Sequence, residues 1–179
     1  MDTQFESLRV YLSGPMENQK NCNDWRKEIT VKLIELGFTE KNIINPVDRR
    51  LAIEHRITYF KKMELWDQLE YVGDQVIKKD LRYVDVTDFV IVHFFKGVET
   101  VGTWDEIFTA RNQRKPVFVI TPNGLDAKTS VWLLGRVGRH QIFRSIDDVI
   151  ERLRAIRDDD IDPPRGWRNI DNENDREVL

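Results

Sequence analysis

Phe89-Val90-Ile91-Val92-His93-Phe94-Phe95 and the two stretches after it decide how this 179-residue chain folds. Val98-Glu99-Thr100-Val101-Gly102-Thr103-Trp104-Asp105-Glu106-Ile107-Phe108 comes next, then Thr109-Ala110-Arg111-Asn112-Gln113-Arg114-Lys115-Pro116. The first run is apolar almost throughout, as a strand buried on both faces requires. The glycine-bearing middle reads as a loop, and the third run as a helix that stops before Pro116. Pro116-Val117-Phe118-Val119-Ile120 then supplies another strand, and a strand-helix-strand order argues for parallel pairing. The loop lies beyond the carboxyl end of a strand, where open α/β sheets hold their ligands.

Toward the N-terminus, Leu8-Arg9-Val10-Tyr11-Leu12 is a strand ending at Ser13-Gly14-Pro15. Asn23 or Asp24 caps a helix with Ile29, Leu33 and Leu36 on one face and Gly37 as its stop. Asn42-Ile43-Ile44-Asn45-Pro46 is a short second strand. Residues 47–84 are too apolar for a linker and read as one or two helices. The last covers about 69–82, is interrupted or kinked near Gly73, and turns Val76, Ile77, Leu81 and Val84 to the sheet, with Asp80 on the margin of that stripe. Tyr59, Phe60 and Trp66 read as core or subunit-interface residues, with stacking on a ligand's ring as the alternative, and Asp88 as a turn acid at the head of the central strand.

Downstream, residues 129–135 form a short turn or helix and Gln141-Ile142-Phe143 an edge strand. Ser145, with Asp148 three residues on, caps a last helix through Ile156. Past Arg157 the chain is acidic and polar, with Pro163-Pro164 and an isolated Trp167, which reads as a tail that is disordered or laid on a neighbouring subunit. The expectation is one α/β domain over residues 1–156, a Rossmann- or flavodoxin-like open parallel sheet of about five strands flanked by helices, and a polar tail over 157–179.

Hydrophobic residues make up 40% of the chain and charged residues 33%, which suits a globular protein. A net charge of -3 leaves no basic footprint for a nucleic-acid polymer. No leader-like segment precedes the first strand and no apolar run approaches the ~20 residues of a membrane span, so a cytoplasmic protein without a membrane partner is expected. Cys22 is alone, which excludes a disulfide framework or a cysteine metal site. His55, His93 and His140 are scattered, and there is neither a Walker loop nor a G-x-G-x-x-G motif. Neither cofactor nor metal is expected.

What remains is carboxylate chemistry. Loops at 13–18, 97–106 and 121–130 share one edge of the sheet and can bring Tyr11, Asp80, Thr100, Glu106 and Ser130 together. Thr103-Trp104-Asp105-Glu106 has two readings. It fits a capping box, with Glu106 bonding back to the cap's N–H. It also places a carboxylate in the first helical turn, where the helix dipole favours the ionised form that a nucleophile needs. Paired with Asp80, such a group suits cleavage at an acetal-like carbon: one carboxylate attacks while the other, its pKa raised by desolvation, handles the leaving group's proton. Tyr11 is either an ordinary strand aromatic or a donor that orients Glu106.

Four pieces in order resemble the nucleoside 2-deoxyribosyltransferase family, whose superfamily also contains deoxynucleoside 5′-monophosphate N-hydrolases. They are Tyr11-Leu12-Ser13-Gly14-Pro15-Met16, Asp80-Leu81, Thr87-Asp88-Phe89-Val90-Ile91-Val92, and Gly102-Thr103-Trp104-Asp105-Glu106-Ile107-Phe108-Thr109-Ala110 with Lys115-Pro116-Val117. The likeness runs from the first strand to the region of Phe143. It implies that Glu106 attacks C1′ of a 2′-deoxyribosyl group to form a covalent intermediate. Asp80 would protonate or hold the departing base and Tyr11 would orient Glu106. Gly14, Pro15, Met16, Thr100, Gly102 and Ser130 would contact a small-molecule nucleoside or nucleotide. It further implies a homo-oligomer in which a neighbour completes the site.

The family's transferases commonly carry an Asp six positions before the nucleophile, at the sugar 5′-OH, where this chain has Thr100. A hydroxyl can donate to a 5′-phosphate that an Asp would repel. Ser130 also lies where the hydrolases draw a serine from a neighbouring subunit. Against a phosphate, Pro15-Met16-Glu17 stands where the hydrolases carry a basic residue, unless Arg26 or an arginine from a second copy intervenes. Sugar transfer to a second base is the first reading, hydrolysis of the monophosphate the second. A non-catalytic nucleotide-binding protein on the same fold is the third.

Overall fold

The apolar run at 89–93 becomes the middle of the sheet. A computed structural model describes residues 5–16, 22–95, 98 and 101–167. In chain order the elements are β1 (Val10–Ser13), α1 (Asp24–Glu35), β2 (Ile43–Ile44), α2 (Val47–Lys62), α3 (Trp66–Val86), β3 (Phe89–His93), α4 (Val101–Asn112), β4 (Val117–Ile120), α5 (Val131–Val137), β5 (Ile142–Phe143) and α6 (Ile146–Arg157). The five strands pair in parallel throughout, in the order β2-β1-β3-β4-β5. This is the open, helix-flanked α/β sheet of the Rossmann/flavodoxin kind that the sequence leads one to expect.

Strand alternation divides the core in two. Val10, Leu12, Phe89, Ile91, Phe118 and Ile120 face α1 and α6, meeting Ile29, Leu33, Val149 and Leu153. Tyr11, Val90, Val92, Val117 and Val119 face the other way, onto Ile107 and Ala110 of α4, Val84 of α3, and Leu133 and Val137 of α5. Ser13 stands opposite Val92 in the ladder, so β1 ends one residue short of β3. The chain leaves β1 toward β2 on one side and returns through β3 on the other. That reversal opens a crevice beyond the carboxyl ends of β1 and β3.

Local signals translate unevenly into structure. Ser145 and Asp148 form the expected capping box at α6. Asp88 is a turn acid, accepting from the Arg9 N–H at 2.7 Å. Asn23 precedes α1 without a side-chain cap bond; its Oδ1 instead accepts from Asn45 Nδ2 at 2.8 Å, tying the helix start to the end of β2.

Three expectations need correction. First, α3 runs unbroken through Gly73, since one glycine costs a helix only about 1 kcal/mol and packing supplies more. On α3 the i,i+4 row Val72-Val76-Asp80-Val84 lies toward the fold, with Val72 and Val84 buried, whereas Ile77 is 54% exposed. Second, α4 begins at Val101, so Thr103 lies inside the helix and Glu106 in its second turn. Third, the segment after α6 lies on the protein's own core: Trp167 meets Phe5, Phe89 and Phe118, with Ile161 also packed there. Composition marked these residues as polar tail, but one indole with apolar partners is enough to dock them. Residues 168–179, Glu17 and Thr100 lie outside the described residues. Among the described residues no helix is long and apolar enough to cross a membrane.

A Cβ built on Gly73 has nothing within 4 Å. Gly73→Ala is therefore expected to raise stability by about 0.5–1 kcal/mol, read from the urea midpoint at constant m-value, by restricting the unfolded chain.

Candidate active site

The core-facing stripe of α4 is Thr103, Glu106, Ile107 and Ala110, so its spacing drives a carboxylate against the sheet. Glu106 is 6% exposed. Its Oε1 accepts a hydrogen bond from the Tyr11 hydroxyl at 2.7 Å, and its Oε2 accepts one from the Ser13 hydroxyl. Both donors come from β1, where residues two apart share a face. Glu106 bonds these side chains and makes no capping box, because the helix starts before Thr103.

Burial pushes the Glu106 carboxyl up to about 7. The Ser13 and Tyr11 hydrogen bonds pull it down, nearby Asp80 pushes it further up, and Arg26 lowers it. The helix start, three residues before the Trp104 that a Thr103 cap implies, removes Glu106 from the first turn, where the dipole acts most strongly. Burial first, then the charge of Glu106, pushes the Tyr11 phenol well above its ordinary 10, so it remains a proton donor.

Arg26 holds the loop after β1. It is fully buried and donates from Nε to Leu12 O (3.1 Å), from Nη1 to Cys22 O (2.5 Å) and from Nη2 to Gly14 O (2.9 Å). Its guanidinium lies 4.6 Å from the Trp25 ring centre, and Trp25 stacks on His93 at 5.1 Å. Arg26 thus faces backbone carbonyls rather than a phosphate. Burial, then Arg26, brings His93 down to about 4, leaving a neutral ring in this stack. At Gly14 a Cβ would stand 2.8 Å from His93 O, so only glycine lets the β1 loop cross so close to β3.

A cavity of about 320 Å³ opens in front of Glu106. Asp80 of α3, Gly14, Met16 and Gly102 line it, along with Lys61, Asp105 and an apolar wall of Ile57, Leu69, Val76, Ile77 and Leu81. Asp80, Val76 and Met16 also border a second cavity of about 290 Å³, whose wall includes Arg56, Tyr71, Gln75 and Tyr83. Of the residues singled out from sequence, Glu106, Asp80, Gly14, Met16 and Gly102 meet at the first cavity, and Tyr11 supports Glu106 from behind. Pro15 is buried but lines neither cavity, while Ser130 is exposed at the start of α5, also away from both. Thr100, outside the described residues, has no described position.

Sequence reasoning passed over Ser13 and the backbone-holding role of Arg26. Strand alternation from Tyr11 places Ser13 on the same face, and Arg26 interrupts the buried stripe Cys22-Arg26-Ile29-Leu33-Leu36; both signals were present. Among the described residues no group of three or more His, Cys, Asp or Glu side chains could hold a metal ion.

No protein-family model matches the sequence, and no curated protein matches it. Among solved structures the chain is similar to the Clostridium botulinum CMP N-glycosidase BcmB, with a TM-score of 0.48 and 16% identity, covering 81% of this chain and 97% of that one.

Glu106 stays protonated in the fold up to about pH 7, but in the unfolded chain only to its ordinary 4.5. Between those values the unfolded state binds fewer protons, so Glu106 costs the native state about 3 kcal/mol as pH rises through the window. Glu106→Gln, which keeps the shape without the titration, should gain on wild type by about that amount between pH 4 and pH 8 in urea unfolding. Parallel pH profiles for the two proteins would contradict the burial of a titrating Glu106. Separately, Gly14→Ala should displace the β1 loop, read as a melting temperature lowered by several degrees, about 1–3 kcal/mol of overpacking.

Proposed function

We propose that this protein cleaves the N-glycosidic bond of 2′-deoxynucleosides, or of their 5′-monophosphates, and transfers the sugar to another base. One observation carries the reading: a buried carboxylate, bonded at both oxygens from the sheet side, shares a cavity with a second carboxylate from a different helix. Two carboxylates around one cleft are what substitution at an acetal-like carbon needs.

That arrangement supports a double displacement. In its ionised form, Glu106 attacks C1′, and the C1′–N bond breaks with its electron pair passing to the base. Asp80 holds that base and supplies its proton. A second base then attacks C1′ through a ring nitrogen, the bond to Glu106 breaks, and the carboxylate is regenerated as Asp80 takes up the incoming base's proton. Since Asp80 borders both cavities, the base has room on the Tyr71, Gln75 and Tyr83 side while the sugar faces Glu106. Gly102, where a Cβ would meet nothing within 4 Å, leaves the cavity mouth open to the sugar.

Hydrolysis of a 5′-monophosphate is the second reading, favoured by Lys61 in the wall of the same cavity, a cation that a phosphate could meet. The reading includes an assembly of several copies. Ser130 is exposed beside Val131 and Trp132, 81% and 70% exposed, and large apolar residues so displayed suit contact with a neighbouring copy.

The test is to incubate the protein with deoxynucleosides and deoxynucleoside monophosphates, with and without a free acceptor base. Base exchange only with an acceptor supports transfer, and base release from monophosphates in water supports hydrolysis. No turnover, with a nucleotide raising the melting temperature, would replace both with a binding role. Glu106→Ala should lower kcat at least about a thousandfold while leaving a cooperative melt. Because attack needs the ionised carboxylate, kcat/KM should rise with pH through the region of about 7.

A further inference from the structure

Ser13 has no part in the steps above, yet it makes one of the hydrogen bonds that hold Glu106. We propose that Ser13 is a positioning residue for Glu106: its hydroxyl, two residues past Tyr11 on β1, fixes the second carboxylate oxygen, so that two donors on one strand set both the plane and the basicity of the carboxylate. This rests on the reading of Glu106 as the attacking group.

The geometry is that of a strand. Tyr11 and Ser13 point to the same face with their Cα atoms about 6.6 Å apart, so a long side chain and a short one can converge on one carboxylate. Both are fully buried, and neither lines the cavity. They therefore approach from the sheet side and leave the cavity side of the carboxylate to a substrate. Each carboxylate oxygen can accept more than one hydrogen bond, so a donor behind it leaves a lone pair for attack. The terminal torsion of a glutamate is broad, and a single donor would leave the carboxylate free to swing about that bond. A second donor removes the swing.

The hydroxyl also acts on charge. Tyr11 faces Glu106 from β1, Arg26 from α1 and Asp80 from α3, while Lys61 of α2 and Asp105 of α4 line the same cavity. Ser13 and Tyr11 favour the ionised form through hydrogen bonds and Arg26 through its charge; burial and Asp80 oppose it. Removing the Ser13 hydroxyl takes away a donor to the charged form, so proton affinity should rise and the carboxylate should lose its orientation.

The test compares wild type with Ser13→Ala and Ser13→Cys. The cysteine fills the serine's volume but is a weak donor, so it separates hydrogen bonding from packing. The Glu106 carboxyl carbon is followed by 13C NMR across pH in glutamate-labelled protein, with Glu106→Gln assigning the resonance. Both Ser13 variants should raise the Glu106 midpoint by about one pH unit, a tenfold gain in proton affinity. In turnover, kcat should fall about tenfold with KM within about threefold, and the acid limb of kcat should move to higher pH. An unmoved midpoint in Ser13→Ala, or full restoration by Ser13→Cys, overturns the proposal. If wild type cleaves no N-glycosidic bond but the midpoint moves, the clamp stands and the assigned reaction falls. An active wild type with an unmoved midpoint has the opposite meaning.

Discussion

Burying the Glu106 carboxylate is the constraint on which the rest of this structure depends. A carboxylate taken out of water costs several kcal/mol unless donors and countercharge replace the solvent. Here the Tyr11 and Ser13 hydroxyls bond its two oxygens, and Arg26 adds a positive charge farther back. The compensation is incomplete, as a pKa of about 7 shows. A group left near neutrality is cheap to ionise at physiological pH and remains poorly solvated, which suits attack on carbon.

This constraint ties distant parts of the chain to one another. The donors sit on β1 and the acceptor on α4, so the alignment of β1 beside β3 and the seating of α4 on the sheet must agree. Arg26 keeps the β1 loop against the helix after it, and Gly14 lets that loop pass beside His93. The long α3 then brings Asp80 to the opposite wall. Asp80 occupies the inward row of that helix between Val76 and Val84, so the packing that holds α3 also places its carboxyl at the cavity.

Much of this was legible locally. The apolar run of β3 announced a strand covered on both faces, and the Ser145 box marked the start of α6. The misreadings share a cause: competition between local chemistry and packing that lies far away in sequence. Thr103 and Glu106 have the spacing of a cap, but Glu106 binds partners on β1, and the helix extends back to Val101. Gly73 has the look of a break, yet the helix carries it. Trp167 sits among charges and prolines, and only the positions of Phe5, Phe89 and Phe118 give it a home.

By itself the sequence determined the order of the strands along the chain and the parallel α/β class, because hydrophobic periodicity and turn residues are local properties, while the roles expected of Tyr11, Asp80 and Glu106 came from the family resemblance. Only the tertiary structure decided that Tyr11 and Ser13 hold the same carboxylate, that Arg26 is spent on backbone carbonyls, and that Ser130 stands away from the cavity. Those facts depend on how strands align and where helices dock. Such contacts join residues as far apart as Tyr11 and Glu106, 95 positions along the chain, and no local pattern encodes a distance of that kind.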